Sequence, residues 1–102
     1  MTTFTSLADI TGTGAVVNLG TLARAAGLAT QGKWAQVQAD GANGAIVRIG
    51  GTEVTSSHGY PILKGTAFIA YPNGADPTDY ANLDMMNVYI ASNDKVYVIV
   101  GG

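Results

Sequence analysis

Two adjacent residues, Ser57 and His58, come closest in this sequence to a catalytic pair. A histidine can activate a serine hydroxyl when a carboxylate orients its imidazole ring, and Asp76, Asp79 and Asp84 follow in the chain. Adjacency in sequence does not establish the necessary hydrogen bond, and no Gly-x-Ser-x-Gly turn is present. We therefore expect an exposed loop histidine and no enzyme, with a small hydrolase centred on His58 as an alternative.

Metal and cofactor sites need ligand sets that this sequence does not supply. Cysteine is absent and there is one histidine, which excludes thiolate ligands and a metal site built from several imidazoles. The three aspartates near the 72–83 region match no calcium-loop spacing, so we interpret them as solvated turn residues. Gly12-Thr13-Gly14 lacks the third glycine of a dinucleotide-binding loop, and Gly32-Lys33 is followed by Trp34 where a phosphate loop has Ser or Thr. We predict no cofactor and no metal.

Charged residues are scarce. They make up 12% of the 102 residues, about half the usual share of about 25%. Five basic residues without a cluster, in a chain of net charge −2, argue against nucleic-acid binding. Because 47% of the residues are hydrophobic, we expect other chains to cover part of the surface. The alternative is a monomer solvated by its Thr, Ser, Asn and Gly residues.

Neither a membrane span nor a secretion signal is expected. The longest apolar runs, such as Val96 to Val100, are far too short to cross a bilayer. The first six residues lack the basic and apolar blocks of a signal peptide. We therefore expect no membrane partner.

The composition divides the chain at about residue 32. Residues 1–32 are rich in Thr, Gly and Ala and contain only two charged residues, Asp9 and Arg24. We predict an extended N-terminal arm with a strand near residues 15–19. A helical turn is expected over residues 21–26, capped by Thr21 and ended by Gly27. Two placements are open: the arm lies along a neighbouring subunit, or it forms the first strands of the same sandwich.

Residues 33–102 are expected to form a single β-sandwich core. Apolar and polar residues alternate there in short runs separated by turn signals. The predicted strands are Trp34–Ala39, Ala45–Ile49, Thr52–Thr55, Pro61–Leu63, Ala67–Tyr71, Asp84–Ala91 and Lys95–Val100. This pattern predicts an all-β fold, an antiparallel jelly-roll-like β-sandwich or barrel.

The first expected hairpin has its turn at Gly50-Gly51, a pair typical of two-residue turns. That turn would place Arg48 opposite Glu53, so that opposite charges face each other across the two strands. Such a pair stabilises a hairpin by about 0.2–1 kcal/mol.

The second expected hairpin joins the last two strands through a three-residue loop, Ser92–Asp94, whose last residue adopts the left-handed conformation. In this register Val88 lies opposite Val98 on one face, and Tyr89 lies opposite Tyr97 on the other. Matching of faces fixes register, which favours this loop over a two-residue one.

Five stretches of the chain from Lys33 onward form a recurring pattern of strands and turns. They are Lys33–Ala39, Val47–Gly50, Gly59–Ile62 with Gly65, Phe68–Tyr71 and Leu83–Gly101. This pattern resembles small structural proteins of tailed bacteriophages, among them capsid cement or decoration proteins. The resemblance leaves out the N-terminal arm.

The resemblance implies a virion structural protein without enzymatic activity. Proteins of this kind sit as dimers or trimers on the outside of the head, where they bind the major capsid protein and stabilise the shell. It also implies synthesis in the cytoplasm of the host bacterium. The alternative is a receptor- or glycan-binding β module of a phage fibre, knob or tail that uses exposed tyrosines.

Contacts with partner chains are expected at apolar residues on the outer strand faces and in the arm. The residues predicted to make them are Thr2, Thr3, Phe4, Leu7, Trp34, Tyr89, Tyr97 and Ile99.

Overall fold

Antiparallel β-strands make up most of the structure, as the all-β prediction requires. The structure is a computed structural model that describes residues 4–70 and 81–101. Its strands are β1 (Phe4–Ser6), β2 (Ile10–Thr11), β3 (Ala15–Asn18), β4 (Gln31–Gly32), β5 (Trp34–Ala39), β6 (Val47–Gly50), β7 (Tyr60–Ile62), β8 (Ala67–Ala70), β9 (Ala81–Asn82), β10 (Asn87–Ile90) and β11 (Lys95–Gly101). One short helix, α1 (Leu19–Ala25), follows β3, and a 3₁₀ turn (Leu83–Met85) follows β9.

The strands form two main sheets. The first sheet has the order β1–β11–β5–β8, with β2 pairing β11 beyond the end of β1. The second sheet has the order β3–β10–β6–β7, and the short β4 and β9 pair with each other. One hydrophobic core joins the inner faces, with Val37 and Val98 from the first sheet and Ile49 and Val88 from the second. Full burial of such a side chain contributes about 1.5–3 kcal/mol.

Strand β5 has the predicted bounds and the predicted alternation. Ala35, Val37 and Ala39 are buried, whereas Gln38 between them is exposed. Successive side chains of a strand point to opposite faces, so this period of two buries one side of β5 and leaves the other on the outer face of the first sheet.

Three of the strand pairs share one register, which the pairs β11–β5 and β10–β6 do not follow. Thr5 pairs with Val100, Val16 with Tyr89 and Gln36 with Ile69, and in each pair the two residue numbers total 105. The fourth pair, β6 with β7, is offset by four, because Arg48 pairs with Pro61. The chain therefore pairs with its own reverse about one apex, the loop of residues 51–59.

The first predicted hairpin has the right place but the wrong partner strand. β6 pairs with β7 and not with residues 52–55. Those residues form a loop in which the Glu53 carboxylate accepts a hydrogen bond from Gly51 N at 3.1 Å and Thr55 N donates to His58 O at 2.9 Å. Val54 is buried against Gly50 and Gly59, where the prediction had it pairing with Val47 across a hairpin.

The second predicted hairpin is wrong in its pairing. β10 lies in the second sheet and β11 in the first, so Tyr89 and Tyr97 are on opposite outer faces. Val88 and Val98 both point into the shared core, as the prediction requires, but they belong to different sheets. The left-handed residue of the connecting loop is Asn93, with φ of 69°, where the prediction had Asp94.

The helix begins earlier than predicted. Asn18 caps it, accepting a hydrogen bond from Thr21 N at 2.9 Å, so Thr21 lies inside the helix and the cap prediction is wrong. Asn is among the best capping residues because its side-chain oxygen satisfies an unpaired helical N–H. Gly27, with φ of 73°, ends the helix as predicted.

No helix in the described ranges is long and apolar enough to cross a membrane.

The extended N-terminal arm is not confirmed. β1 and β2 pair with β11, and β3 pairs with β10. Over residues 4–18 the chain thus follows the second placement, in which this segment supplies the first strands of the sandwich. These strand pairs join residues on both sides of residue 32, and the division of the chain at that point stays a prediction.

A close contact fixes the helix on the 3₁₀ turn. Asn18 Nδ2 donates to Asp84 O at 2.9 Å, and Arg24 forms an ion pair with the Asp84 carboxylate. Gly20 is in contact with the same aspartate, since a Cβ atom added there would lie 2.6 Å from Asp84 Cα. The exposed ion pair contributes little stability by itself. The close packing of the helix on the 3₁₀ turn is possible because Gly20 has no side chain.

Two loops at one end of the sandwich are joined by side-chain to backbone hydrogen bonds. The buried Asn43 donates to Lys95 O at 2.9 Å and accepts from Lys95 N at 2.8 Å, which extends the ladder of β11 beyond the end of β5. The Asp94 carboxylate accepts from Gly44 N and Ala45 N at 3.0 Å each. These two side chains hold the β5–β6 connection against the start of β11.

Replacing Asn43 should destabilise the fold. In Asn43→Ala, Lys95 N loses the Asn43 acceptor and Lys95 O keeps only the bond from Asp40 N, so we expect the free energy of unfolding to fall by about 1–3 kcal/mol. Urea denaturation measures the change, with the exposed amide Gln38→Ala as the control that should stay within about 0.5 kcal/mol. Equal stability of the two variants would show that water replaces the Asn43 amide without loss.

Candidate functional site

The outer face of the first sheet brings together two of the residues predicted to make contacts. Ile99 lies between Ser6 and Gln36, and Tyr97 lies beside Gln38. Directly opposed residues on one face have Cβ atoms about 4.5–5.5 Å apart, so these side chains are neighbours. Ile99 is half-buried and Tyr97 is 36% exposed. This face is therefore more polar than the sequence prediction assumed.

A hydrogen bond fixes the Tyr97 ring. The Tyr97 hydroxyl donates to the Asp40 carboxylate, which also accepts from Ala42 N at 2.8 Å. The bond from Tyr97 is the main cause that lowers the pKa of Asp40, and the bond to Asp40 is the main cause that raises the pKa of Tyr97. The favoured state over the neutral pH range is thus a charged Asp40 and a neutral Tyr97.

The remaining predicted contact residues are dispersed. Tyr89 is half-buried on the outer face of the second sheet, between Val16 and Arg48. Leu7 is buried in the core and Trp34 is half-buried at the start of β5. Phe4 begins β1, and Thr2 and Thr3 lie outside the described residues. The predicted contact residues whose side chains the structure describes therefore lie on two opposite outer faces, in the core and at the start of β5.

Other large apolar side chains are exposed as well: Val16 and Ile69 on the outer faces of the two sheets, and four residues at or near the edge strand β7. Tyr60 is 63% exposed, Leu63 54%, Ile46 39% and Met85 72%. Ile46 and Leu63 line one hollow, and Tyr60 and Met85 line another. We call these four residues the β7 surface. Pro61 lies in this edge strand, as predicted, and has no N–H with which to extend the sheet.

The hollow beside Tyr60 has a volume of about 420 Å³. It lies where β7 and β8 part, and its walls come from both sheets, with Ile49 from the second and Phe68 from the first. The rings of Tyr60 and Phe68 are 5.5 Å apart and tilted by 58°, a favourable geometry for an aromatic pair. None of the described lining residues is charged, so the hollow suits an apolar group.

The sequence could not identify the β7 surface. Met85 belongs to a 3₁₀ turn far along the chain, and its proximity to Tyr60 depends on how the two sheets meet. The signal that was available is Tyr60-Pro61, since proline marks an edge strand and a tyrosine beside it is poorly covered.

The catalytic and metal alternatives gain no support from the geometry. His58 lies exposed in the apex loop, and Asp84 is bound to Arg24. Asp76 and Asp79 lie outside the described residues. Over residues 4–70 and 81–101, no three His, Cys, Asp or Glu side chains lie close enough to hold a metal ion.

Comparison with known proteins identifies no relative. No family model, no curated protein sequence and no solved structure matches the chain. Function must therefore be argued from the surfaces of the molecule.

The Tyr97–Asp40 bond predicts a pH dependence of stability. The lowered pKa of Asp40 contributes stability that is lost as pH falls through that pKa, which lies below 3.8. The raised pKa of Tyr97 contributes stability that is lost as pH rises through that pKa, which lies above 10.0. The stability difference between wild type and Tyr97→Phe should be constant between these limits and shrink beyond both.

Urea unfolding at acidic, neutral and alkaline pH measures this difference. The matched control is Tyr89→Phe, because the Tyr89 hydroxyl makes no hydrogen bond to any described residue. Its stability difference from wild type should not follow the same profile. A Tyr97→Phe difference that stays flat across the whole range would contradict the role given to Asp40.

Proposed function

We propose that this chain is a structural protein of a bacteriophage virion, a capsid cement or decoration protein. In this proposal it has no enzymatic activity, binds the major capsid protein on the outer surface of the head and stabilises the shell. The observation that carries it is the β7 surface, four exposed apolar side chains that line two hollows of a small, charge-poor sandwich. Exposed apolar patches rimmed by polar residues mark protein-binding sites.

The fold proposed for this role is a jelly roll. With β1 and β2 counted as one strand and the short β4 and β9 left out, eight strands remain. Their orders are then 1-8-3-6 in the first sheet and 2-7-4-5 in the second. Each strand has as a neighbour the one equally far from the other end of the chain, which is the order of a rolled antiparallel hairpin. Double-sheet jelly rolls with eight strands are common in viral capsid proteins.

The physical demands of a cement protein fit the molecule. Sparse charge lowers the cost of removing water from a contact face. Modest contacts repeated over a lattice gain strength through avidity when the protein itself is a dimer or trimer. Closed symmetry would also cover apolar surface among like subunits.

The oligomeric state is the first measurement. Light scattering behind a sizing column should give a particle of two or three times the 10.4 kDa subunit mass. A particle of one subunit mass at all concentrations would contradict the proposed dimer or trimer.

Binding to the capsid should depend on the β7 surface. A carboxylate introduced by Leu63→Asp would have to be buried without a partner, and we expect binding to expanded heads to weaken at least about tenfold. The free energy of unfolding should change by less than about 0.5 kcal/mol, because Leu63 is exposed in the isolated chain. Co-sedimentation with heads lacking the protein measures the binding.

Two further variants sharpen this experiment. Ala29→Asp adds the same charge at an exposed position outside the β7 surface and should bind as wild type does. Ile99→Asp tests the contact residues predicted on the outer face of the first sheet. Normal binding of Leu63→Asp would reject the β7 surface, and a virion reconstruction without the protein on its head would reject the proposed function.

A further inference from the structure

A shallow hollow of about 220 Å³ lies on the outer face of the first sheet. The side chains that matter in it are Ser6, Asp9, Gln36, Gln38 and Tyr97. The strand register brings them together, because Gln38 is opposite Tyr97, and Gln36 and Ser6 both flank Ile99. We call this the glutamine hollow. It is separate from the β7 surface and from the core.

Two amide side chains of the hollow are free to bind a ligand. Neither the Gln36 nor the Gln38 side chain bonds to another residue in the described part of the chain. Each amide carries N–H donors and a carbonyl acceptor, so each can donate a hydrogen bond to a hydroxyl group or accept one from it. Gln36 is half-buried and Gln38 is exposed, so both amides are within reach of a ligand from solvent.

An aromatic ring borders these amides. Tyr97 is held by Asp40, so its ring does not have to be ordered when a ligand arrives. Beside it Ile99 supplies aliphatic surface. A pyranose ring has one face of C–H groups that packs on an aromatic ring and a rim of hydroxyls that need amides and carboxylates. A few placed polar groups beside apolar surface are typical of small-molecule sites.

The charge of the hollow narrows the class of ligand. Asp9 is the one charged group among the lining residues described, and it is an acceptor. Lys95 is close enough to Asp40 to lower its pKa, so its charge is already opposed by that carboxylate. A phosphate or an acidic sugar would meet a like charge without a bidentate cation. The groups present match a neutral, polyhydroxylated molecule.

We propose that the glutamine hollow binds a neutral saccharide, with one pyranose ring against Tyr97 and its hydroxyls on Gln36, Gln38 and Asp9. This inference goes beyond the proposed capsid role and does not depend on it. A surface-displayed virion protein with such a hollow would have a second activity, attachment to neutral glycans.

The test is a titration of ¹⁵N-labelled protein with the methyl glycosides of glucose, galactose, mannose and N-acetylglucosamine, followed by NMR. The side-chain amide signals of Gln36 and Gln38 should shift with at least one of them and saturate at about 1–10 mM. The exposed Gln31 amide, on β4, is the internal control and should not move. If none of the four glycosides moves the Gln36 and Gln38 signals, the proposal is wrong.

Variants then locate the binding. Gln38→Ala removes one amide at an exposed position and should weaken the affinity about fivefold. Tyr97→Ala should weaken it more than Tyr97→Phe does, because only the first loses the ring. Gln31→Ala should leave the affinity unchanged. Unchanged affinity in Gln38→Ala would overturn the assignment, and binding to heads is scored separately, so the two proposals can fail independently.

Discussion

The structure depends on one constraint, the pairing of the chain with its own reverse about the apex loop of residues 51–59. Three of the strand pairs keep one register about that apex, so Phe4 and Gly101, at the two ends of the described residues, pair with each other. The strand pairs far from the apex join residues that are distant in sequence. The loop-closure entropy that this pairing costs is offset only when the sheets form together. Because β11 lies between β1 and β5, the last strand of the chain completes the first sheet.

The sequence predicts strand faces well and strand partners poorly, and the rolled pairing explains both. Val88 and Val98 point into the core whether their strands pair with each other or lie in facing sheets, because alternation sets the face alone. The partner is set by distant residues such as Val16 and Gln36, which a local turn signal cannot reveal. Turn chemistry adds a second source of error, since Asp94 is used to hold Gly44 N and Asn93 adopts the left-handed conformation.

The candidate surfaces show the same difference: the sequence predicts which face a residue lies on but not which distant residues lie beside it. Gln36 and Gln38 could be placed on an outer face from the alternation of β5 alone, although nothing in the sequence showed that Tyr97 would lie beside them. The β7 surface could not be found, because Tyr60 and Met85 come together only when the sheets pack. Sequence reasoning favoured large apolar residues such as Leu7 and Trp34, and a folded chain uses many of those for its own core.

The glutamine hollow and the β7 surface differ because one lies on the outer face of a sheet and the other lies where the edges of the two sheets part. On the outer face of the first sheet the side chains of paired strands are presented at regular spacing, so the proposed recognition there would be by hydrogen bonds from side chains such as Gln38. Where β7 and β8 part, Tyr60 and Phe68 border a hollow with apolar walls, so the proposed recognition there would be by burial of apolar surface. The β7 surface and the glutamine hollow share no residue, so occupation of one does not require the residues of the other. One small sandwich can therefore be fixed to a surface through its edge while its outer face stays open to a soluble ligand.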